Sequence, residues 1–442
     1  MRIIYSIFIL IVFSSCAKQQ VPINLSEKNR NEKWIEDIDY FENTFLKDAK
    51  TYTKDTRASC KTMLIGLKTK INQLSDLQIR LALSKCVVMA DNGHTTLPIP
   101  LMKKIPLRFY RFADGMYVTK TDSASSKYLG SKVLKINSID VDQVEAKLFP
   151  YLSGIDRWKR FKTIHLINAP KILHELGISK KDSLTLTLVQ NKDTLDVTFG
   201  AKKIGNDRYW FESWADLYAA FAKDNRWKFI KNDKSILPLY MRQAEKGVFY
   251  SFNDKKKIAY FHINSFWEKC PDFKGTIEKF LEILKTKRDH NVVIDLRFYT
   301  GGNYNFATKL ATKPPKIIND NKKIYLITSD KTYSAGIVTA ARVKYFAKDK
   351  IVIVGEEVGD RLKFWAESKV YVLPNSRTRI YSSRKEHDWK DNKHGLSRTH
   401  FPNFIYGVAA KNLKLDKEIR LSFADYQANK DPILEWIFSQ QK

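Results

Sequence analysis

The chain has 442 residues, of which 77 are Lys or Arg and 48 are Asp or Glu, so its formal net charge is +29. Its length suggests two or three domains, and its 43% hydrophobic content is ordinary for folds with sizeable cores, which excludes a largely disordered chain. The charge is mostly lysine spread through every segment. It favours a face toward anionic lipid headgroups or cell-wall polymers over nucleic acid, and a plain solvated basic surface is the equal alternative.

The first residues have the pattern of an export signal. A charged start precedes the apolar run Ile3–Phe13, which is too short and too near the terminus to span a membrane. The run leads into Cys16, and this end resembles the lipobox of bacterial lipoproteins, although Phe13 stands where an aliphatic residue is usual. The resemblance implies a signal over 1–16 with lipid on Cys16, and a body in the periplasm or outside the cell. An ordinary signal peptide with a chance cysteine is the alternative.

No later window is apolar for long enough to cross a bilayer, so we expect an anchored chain rather than a spanning one. Residues 17–31 are polar and lack periodicity, which predicts a flexible tether. Apolar residues at helical spacing then predict a helical N-terminal domain over 32–92. Cys60 and Cys86 fall on consecutive predicted helices, where they are either bridged by a disulfide or separately buried.

Short alternating runs predict a mainly β module over 106–203. Within it, Tyr128–Val141 resembles the "G-x-x-V-x-x-I-N-G" stretch of PDZ-like domains, with Ser138 in place of the last glycine. The resemblance implies that the module binds an extended peptide by adding it as a strand. A β-hairpin of another small domain is the alternative. The aromatic-rich connection over 204–245 receives no assignment.

Strands and helices alternate over 246–442, from a strand at Ile258–Ile263 to a last helix near Pro432–Phe438. This succession predicts βαβ units and a parallel sheet flanked by helices. The predicted fold class is therefore multidomain α/β.

Two segments of this core suit attack on an acyl carbonyl. The strand Val292–Leu296 breaks at Gly301 and Gly302, and such glycines let N–H groups point into one cavity as an oxyanion hole. A turn that needs glycine only for its dihedrals is the plainer alternative. Ser334 stands where a helix begins, so the helix terminus and the N–H of Ala335 would stabilise an oxyanion. A serine N-cap is far commoner than a nucleophile.

A serine nucleophile needs a base. Among eight histidines, His94 follows a helix end and a glycine in a loop, where a side chain can reach outward. A loop histidine of no consequence is the default interpretation, and only combination with the other segments favours this one.

These segments, in this order, resemble the tail-specific (C-terminal processing) peptidase family, including its tricorn-like branch. Asp295–Gly302 matches the family's "D-L-R-x-N-x-G-G", with Tyr299 for the asparagine, and Thr332–Ala335 matches "T-x-S-[SA]". The resemblance covers most of the chain. It implies a helical N-terminal part, a PDZ-like module and a crotonase-like catalytic core.

The same family gives two choices of base. Val354–Asp360 resembles its "V-G-E-x-T-G-G", with Val358 for threonine and Asp360 for the last glycine. One branch uses a lysine in this segment, and the nearest here is Lys363. The other uses a histidine from an upstream "D-x-H-[ST]" loop, which the loop of His94 resembles with one extra residue. The resemblance thus implies His94 as base, with Lys363 as runner-up.

A histidine base normally has an acidic or hydroxyl partner that fixes its tautomer. Glu367, Asp388 and Asp391 are candidates, and their spacing does not choose among them.

The sequence therefore predicts a lipid-anchored serine endopeptidase that cleaves exported proteins or peptides. A catalytically inactive peptide-binding lipoprotein of the same fold is the alternative, and a protein adhering to polysaccharide through its basic face is a third. No ligand-spaced cluster or phosphate loop appears, so we expect no metal or nucleotide cofactor. The expected partners are a peptide or protein substrate and the membrane, not nucleic acid.

Overall fold

In a computed structural model of the chain, the described residues are 28–100, 103–203, 217, 227–231, 233–243, 246–264 and 272–440. The export signal with Cys16, most of the predicted tether and Cys270 lie outside these ranges, as does much of the connection 204–245. Among the described residues, none of the helices is both long and apolar enough to cross a membrane.

The N-terminal part is helical, with α1 at Arg30–Tyr40, α2 at Lys54–Lys68 and α3 at Asp76–Val88. Each helix begins with a capping box, in which a side chain before the helix and one in its first turn satisfy each other's backbone N–H groups. The apolar faces of these helices share a core with three side chains from much later in the chain, Tyr371, Leu373 and Ile380. This part is therefore packed against the C-terminal half.

Cys60 on α2 and Cys86 on α3 are free thiols, and both are fully buried. The Sγ atom of Cys86 lies 3.6 Å from the carbonyl oxygen of Cys60. A hydrogen bond with the side chain of Cys60, followed by burial, raises the pKa of the Cys86 thiol. The structure therefore has the two cysteines as buried, unbridged thiols in one core.

A seven-stranded antiparallel sheet forms the next part. Its elements are β1 at Leu107–Phe112, β2 at Gly115–Asp122, β3 at Lys132–Ile136, β4 at Ile139–Asp140, α4 at Val141–Leu148, α5 at Asp156–Thr163, α6 at Pro170–Glu175, β5 at Ser183–Gln190, β6 at Asp193–Gly200 and β7 at Trp227–Phe229. The strand order is β1-β2-β3-β5-β6, with β4 paired to β3 and β7 paired to β2. Asn137 and Ser138 join β3 to β4 with φ values of 46° and 68°, so Ser138 adopts the backbone region that its family's glycine would favour.

The C-terminal half alternates strands and helices. Its elements are α7 at Leu239–Arg242, β8 at Val248–Asn253, β9 at Ile258–Ile263, α8 at Phe273–Thr286, β10 at Asn291–Asp295, α9 at Thr308–Thr312, α10 at Pro314–Ile317, β11 at Ile324–Thr328, α11 at Ala335–Ala347, β12 at Ile351–Gly355, β13 at Lys363–Val372, β14 at Arg379–Asp388, α12 at Pro402–Tyr406, β15 at Lys417–Glu418, α13 at Phe423–Gln427 and α14 at Pro432–Ser439.

Six of these strands form a sheet in the order β15-β12-β11-β10-β9-β8, in which β8 alone is antiparallel to its neighbour. Strands β9 and β11 are buried along their whole length, as expected for a sheet covered on both faces. One contiguous apolar core runs from this sheet to the antiparallel sheet of the preceding part. The chain is therefore a mixed α/β protein with several sheets, in which β13 and β14 form a separate two-stranded hairpin.

Because β10 and β11 are parallel neighbours, the loops that follow them leave the same edge of the sheet side by side. Ligand sites of α/β sheets lie at this carboxyl edge. The segments that contain Gly301 and Ser334 follow β10 and β11 respectively.

Candidate active site

The loops after β10 and β11 are joined by hydrogen bonds. The hydroxyl of Thr332 donates to the carbonyl oxygen of Leu296 at 2.8 Å, and the N–H of Tyr333 donates to the carbonyl oxygen of Tyr299 at 3.1 Å. At Gly336 a Cβ atom would overlap that same carbonyl oxygen, so only glycine permits this approach. These contacts hold the glycine loop against the start of α11. Tyr299, which replaces the family's asparagine, is itself fully buried.

Ser334 has an unusual backbone, with φ of 52° and ψ of −117°. It precedes α11, yet its side chain does not cap the helix and its hydroxyl makes no hydrogen bond to a described residue. A conformation of this kind costs roughly 1–3 kcal/mol and persists only where the surroundings enforce it. A Cβ atom on Gly301 would lie 3.4 Å from Cβ and 3.8 Å from Oγ of Ser334. Ser334 is therefore not the ordinary serine cap, and its hydroxyl is held beside the glycine loop.

Unpaired backbone donors lie next to this hydroxyl. Within the described part of the chain, the N–H groups of Gly301, Gly302 and Ala335 have no hydrogen-bond acceptor. Ala335 is the first residue of α11, where the positive end of the helix dipole favours negative charge. Unpaired N–H groups at such a position can stabilise an oxyanion.

The charged residues of the "D-L-R" motif, Asp295 and Arg297, form a buried ion-pair cluster beneath the glycine loop. Arg297 donates to the carboxylates of Asp295 at 2.9 Å and of Asp431 at 3.0 Å, and all three residues are buried. Asp295 also accepts the hydroxyl of Tyr260 at 2.6 Å. A buried charge is tolerated only when it is paired and hydrogen-bonded in this way. The cluster anchors the chain where it leaves β10.

The loop that carries His94 is pinned to the β13–β14 hairpin. The side-chain oxygen of Asn92 accepts the N–H of Trp365 at 3.0 Å, and its amide donates to the hydroxyl of Ser383 at 3.0 Å. Thr96 and Tyr381 exchange two backbone hydrogen bonds of 2.9 and 2.8 Å. His94 is thus presented by a fixed segment.

His94 meets the residue that precedes the serine. The hydroxyl oxygen of Tyr333 lies 3.0 Å from Nδ1 of His94. Nε2 of His94 is buried and has no hydrogen-bond partner among the described residues, and no hydrogen bond joins it to Ser334. Burial, followed by the neighbouring His387, lowers the pKa of His94 to about 3. The imidazole is therefore neutral at neutral pH, as a general base must be.

His94 is part of a continuous series of stacked side-chain rings, here called the aromatic stack. Its ring centroids follow one another at 3.8, 4.7, 5.3, 5.1 and 5.4 Å. In order, its members are Trp158, Tyr333, His94, Phe364, His387 and His400. The stack fixes the plane of the His94 imidazole from both sides.

The three acidic candidates lie in different surroundings. Glu367 reaches the stack: its Oε1 atom lies 3.4 Å from Nε2 of His387, a contact that lowers the pKa of Glu367, and its charge acts on His94. Asp388 instead accepts the N–H groups of two residues that follow it, at 3.1 and 2.8 Å. Asp391 pairs with Lys411 at 3.1 Å. None of the three makes a hydrogen bond to His94.

The side chain of Lys363 does not point toward Ser334 or His94. Its side chain is 56% exposed, and its amine lies 3.2 Å from Glu386 and 4.0 Å from Asp388. Within the described residues it contacts neither Ser334 nor His94.

The sequence predicts no functional role for several residues that lie at this site. Tyr333 occupies the variable position of "T-x-S", yet its hydroxyl contacts His94. Asp360 stands only as a departure from the family glycine, yet its carboxylate lies beside Gly93. Trp158 comes from α5, about 175 residues before Tyr333, and no local pattern marks it. No group of three or more His, Cys, Asp or Glu side chains in the described ranges is suited to hold a metal ion.

Neither a protein-family model nor a curated protein matches the sequence at a significant level. The structure resembles that of mature CPAF complexed with lactacystin, with a TM-score of 0.60 and 10% identity over 90% of this chain and 96% of that chain. A CPAF mutant gives a TM-score of 0.57 with 12% identity, over 90% and 95% of the two chains. The photosystem II D1 C-terminal processing protease aligns over 89% of this chain and 93% of that one at 10% identity, but its TM-score of 0.37 is too low to establish a shared fold. The chain is thus similar in fold to CPAF over nearly its whole length.

Proposed function

We propose that the chain is a serine endopeptidase that hydrolyses peptide bonds in exported proteins or peptides. The observation that carries this proposal is the backbone at Ser334, which is strained, leaves the hydroxyl without a capping bond and sets it beside Gly301. A serine that only caps a helix needs none of these features. The unpaired N–H groups nearby and the neutral His94 supply the two other roles of acyl transfer.

In the proposed reaction, Oγ of Ser334 bonds to the substrate carbonyl carbon while His94 takes the hydroxyl proton. The N–H groups of Gly301 or Gly302 and of Ala335 hold the oxyanion. The carbon–nitrogen bond then breaks, and His94 returns the proton to the leaving amine. Water then attacks the acyl carbon and gives one proton to His94. The bond between that carbon and Oγ of Ser334 breaks, and His94 passes the proton to Oγ, which releases the carboxylic acid and restores the serine hydroxyl.

The finer assignments belong to the same proposal. The antiparallel sheet of β1 to β6 serves as a PDZ-like module that presents the substrate, and the six-stranded sheet is a crotonase-like core. A lipid on Cys16 anchors the chain to a bacterial membrane, with its body in the periplasm or outside the cell. Support for these assignments comes from the motifs of the sequence, and the similarity to CPAF supports the arrangement of the fold.

Active-site labelling with a fluorophosphonate probe tests the proposal. The variants are Ser334→Ala, His94→Ala and Lys363→Ala, all compared with the wild type after thermal melts establish that they fold. We expect labelling of the wild type and of Lys363→Ala, and none of the other two. Lys363→Ala is a matched control because it removes the runner-up base without touching the aromatic stack.

Other results of this experiment would support a different function or a different base for this chain. A folded wild type that resists every fluorophosphonate points to the inactive peptide-binding lipoprotein. Labelling that survives in His94→Ala and disappears in Lys363→Ala assigns the lysine as base.

A further inference from the structure

We propose that Tyr333 is the positioning residue for His94: its phenol oxygen accepts the proton on Nδ1, and its own proton is directed through one water at Asp360. The inference rests on the proposed function, because it concerns the base of that reaction. It assigns to a tyrosine hydroxyl the part that an acidic side chain plays in most serine hydrolases.

The contact between the two residues is specific. The phenol oxygen lies 3.0 Å from Nδ1, a distance typical of a hydrogen bond to nitrogen. Tyr333 is buried, and its ring lies flat on Trp158 with 3.8 Å between centroids and 1° between planes. A ring held on one face by Trp158 and on the other by His94 has little freedom to move its hydroxyl elsewhere.

The direction of this hydrogen bond decides whether His94 can act. If Nδ1 carries the proton and donates it to the phenol, Nε2 keeps a lone pair and can accept the proton of Ser334. If the phenol donates instead, Nε2 carries the proton and cannot act as base. The phenol accepts from His94 only if its own proton has another acceptor.

Asp360 is that acceptor, through one water. Its side chain is only 4% exposed; Oδ1 accepts the N–H of Arg361 at 2.8 Å, and Oδ2 has no hydrogen-bond partner among the described residues. A Cβ atom on Gly93 would overlap the phenol oxygen of Tyr333 and lie 3.1 Å from Oδ2, so both oxygens face one small space. A buried carboxylate oxygen without a donor is costly, and a water bound by the phenol is the donor at hand.

The charges around Asp360 suit this role. Lys162 on α5 is half-buried, donates to the carbonyl oxygen of Ser153 and acts electrostatically on Asp360. Arg361 attracts the carboxylate and Asp91 repels it. Burial outweighs these cations and raises the pKa of Asp360 to about 6. The carboxyl is therefore still ionised at neutral pH, and the ionised form is the stronger acceptor for a phenol.

Glu367 does not compete for this role. It is 44% exposed, and its contacts within the described residues are with His387 at 3.4 Å and His400 at 3.8 Å. Its charge acts on His94 through the stack, without a hydrogen bond that could select a tautomer.

The test uses Tyr333→Phe in the full chain, which keeps the stacked ring and removes only the hydroxyl. Tyr52→Phe is the matched control, because the Tyr52 hydroxyl also makes one buried hydrogen bond, to the carbonyl oxygen of Cys86 at 2.9 Å in the N-terminal core. We expect the fluorophosphonate labelling rate to fall about 100-fold in Tyr333→Phe, a typical contribution of general-base catalysis, and to stay unchanged in Tyr52→Phe. The tautomer of His94 is read separately, from ¹⁵N chemical shifts of histidine-labelled protein.

In the wild type, we expect the neutral His94 imidazole to carry its proton on Nδ1. In Tyr333→Phe, we expect the Nδ1 tautomer to be no longer favoured. Wild-type labelling rates and an unchanged tautomer in Tyr333→Phe would overturn the assignment. If the wild type is not labelled at all, the proposed function fails, and the tautomer still decides the inference: a proton on Nε2 overturns it, and one on Nδ1 supports it.

Discussion

A Cβ atom on Gly93 would overlap the hydroxyl oxygen of Tyr333, so the phenol reaches His94 only because the preceding residue has no side chain. The backbone of Gly93 does not lie in the left-handed region, and alanine can adopt it without dihedral strain. Gly93→Ala is therefore a steric test. We expect it to displace the phenol from Nδ1 and to lower the fluorophosphonate labelling rate at least tenfold.

Gly66→Ala on α2 is the control for this change, because a Cβ there meets nothing within 4 Å. Alanine in a helix interior should stabilise the fold by about 1 kcal/mol and leave labelling unchanged. Full labelling of Gly93→Ala would mean that the contact between phenol and imidazole is dispensable.

Asp431→Ala should destabilise the fold strongly. It leaves the buried Arg297 with Asp295 alone and removes the side chain that caps α14 by accepting the N–H of Leu434 at 3.1 Å. Breaking a buried ion pair costs about 3–5 kcal/mol. Urea denaturation followed by circular dichroism measures the loss.

Glu278→Ala provides the comparison, because it breaks an exposed ion pair with Lys309 at 2.5 Å. Its denaturation midpoint should match that of the wild type. Equal midpoints for Asp431→Ala and Glu278→Ala would contradict the role given to the buried cluster.

Asp360 should make the stability of the protein depend on pH. Burial raises its pKa from 3.8 to about 6, so the folded state binds its proton more tightly than the unfolded state does. The stability that this group contributes is present below pH 3.8 and is lost as pH rises through 6. In Asp360→Asn this loss is absent, so the variant should gain about 3 kcal/mol relative to the wild type between pH 3.8 and pH 8.

Thermal and urea unfolding of both proteins at pH 4, 6 and 8 measures the difference. A constant difference across this range would show that the carboxyl titrates normally. The same variant should label more slowly, because its side chain no longer offers a carboxylate to Tyr333.

Cys60 and Cys86 should resist alkylation in the folded protein, since both are fully buried. Unfolding without reductant should expose two thiols to iodoacetamide, with each peptide gaining one label by mass spectrometry. Peptides that remain unlabelled and joined would establish a disulfide, which for a loop of this length adds about 3 kcal/mol of stability.

The sequence predicts the C-terminal sheet well. The strand at Ile258–Ile263 is observed with those bounds, and α11 begins one residue after Ser334, where a helix start is predicted. Buried parallel strands form continuous apolar runs, and amphipathic helices repeat every three to four residues, so local patterns suffice there. The motif letters also locate the strained turn at Ser334.

The hairpin of β13 and β14 is not predicted by local sequence patterns. Its strands mix charged, polar and apolar residues without a regular alternation, and part of its apolar face packs on helices more than 280 residues earlier in the chain. The contact between His94 and Tyr333 spans 239 positions for the same reason. Contacts of this kind depend on how distant parts of the chain pack together. A local motif can therefore identify each residue without predicting which residue it contacts.

The aromatic stack draws its rings from four separate stretches of the chain, with His94 encoded early and Tyr333 and Phe364 late. During synthesis His94 leaves the ribosome long before Ser334 does, and the imidazole has neither ring to lie against until about three-quarters of the protein has been made. A product that ends before Tyr333, or that begins after His94, cannot form the contact between the two rings. The proposed base and nucleophile therefore come together only in a chain that holds both of these distant segments.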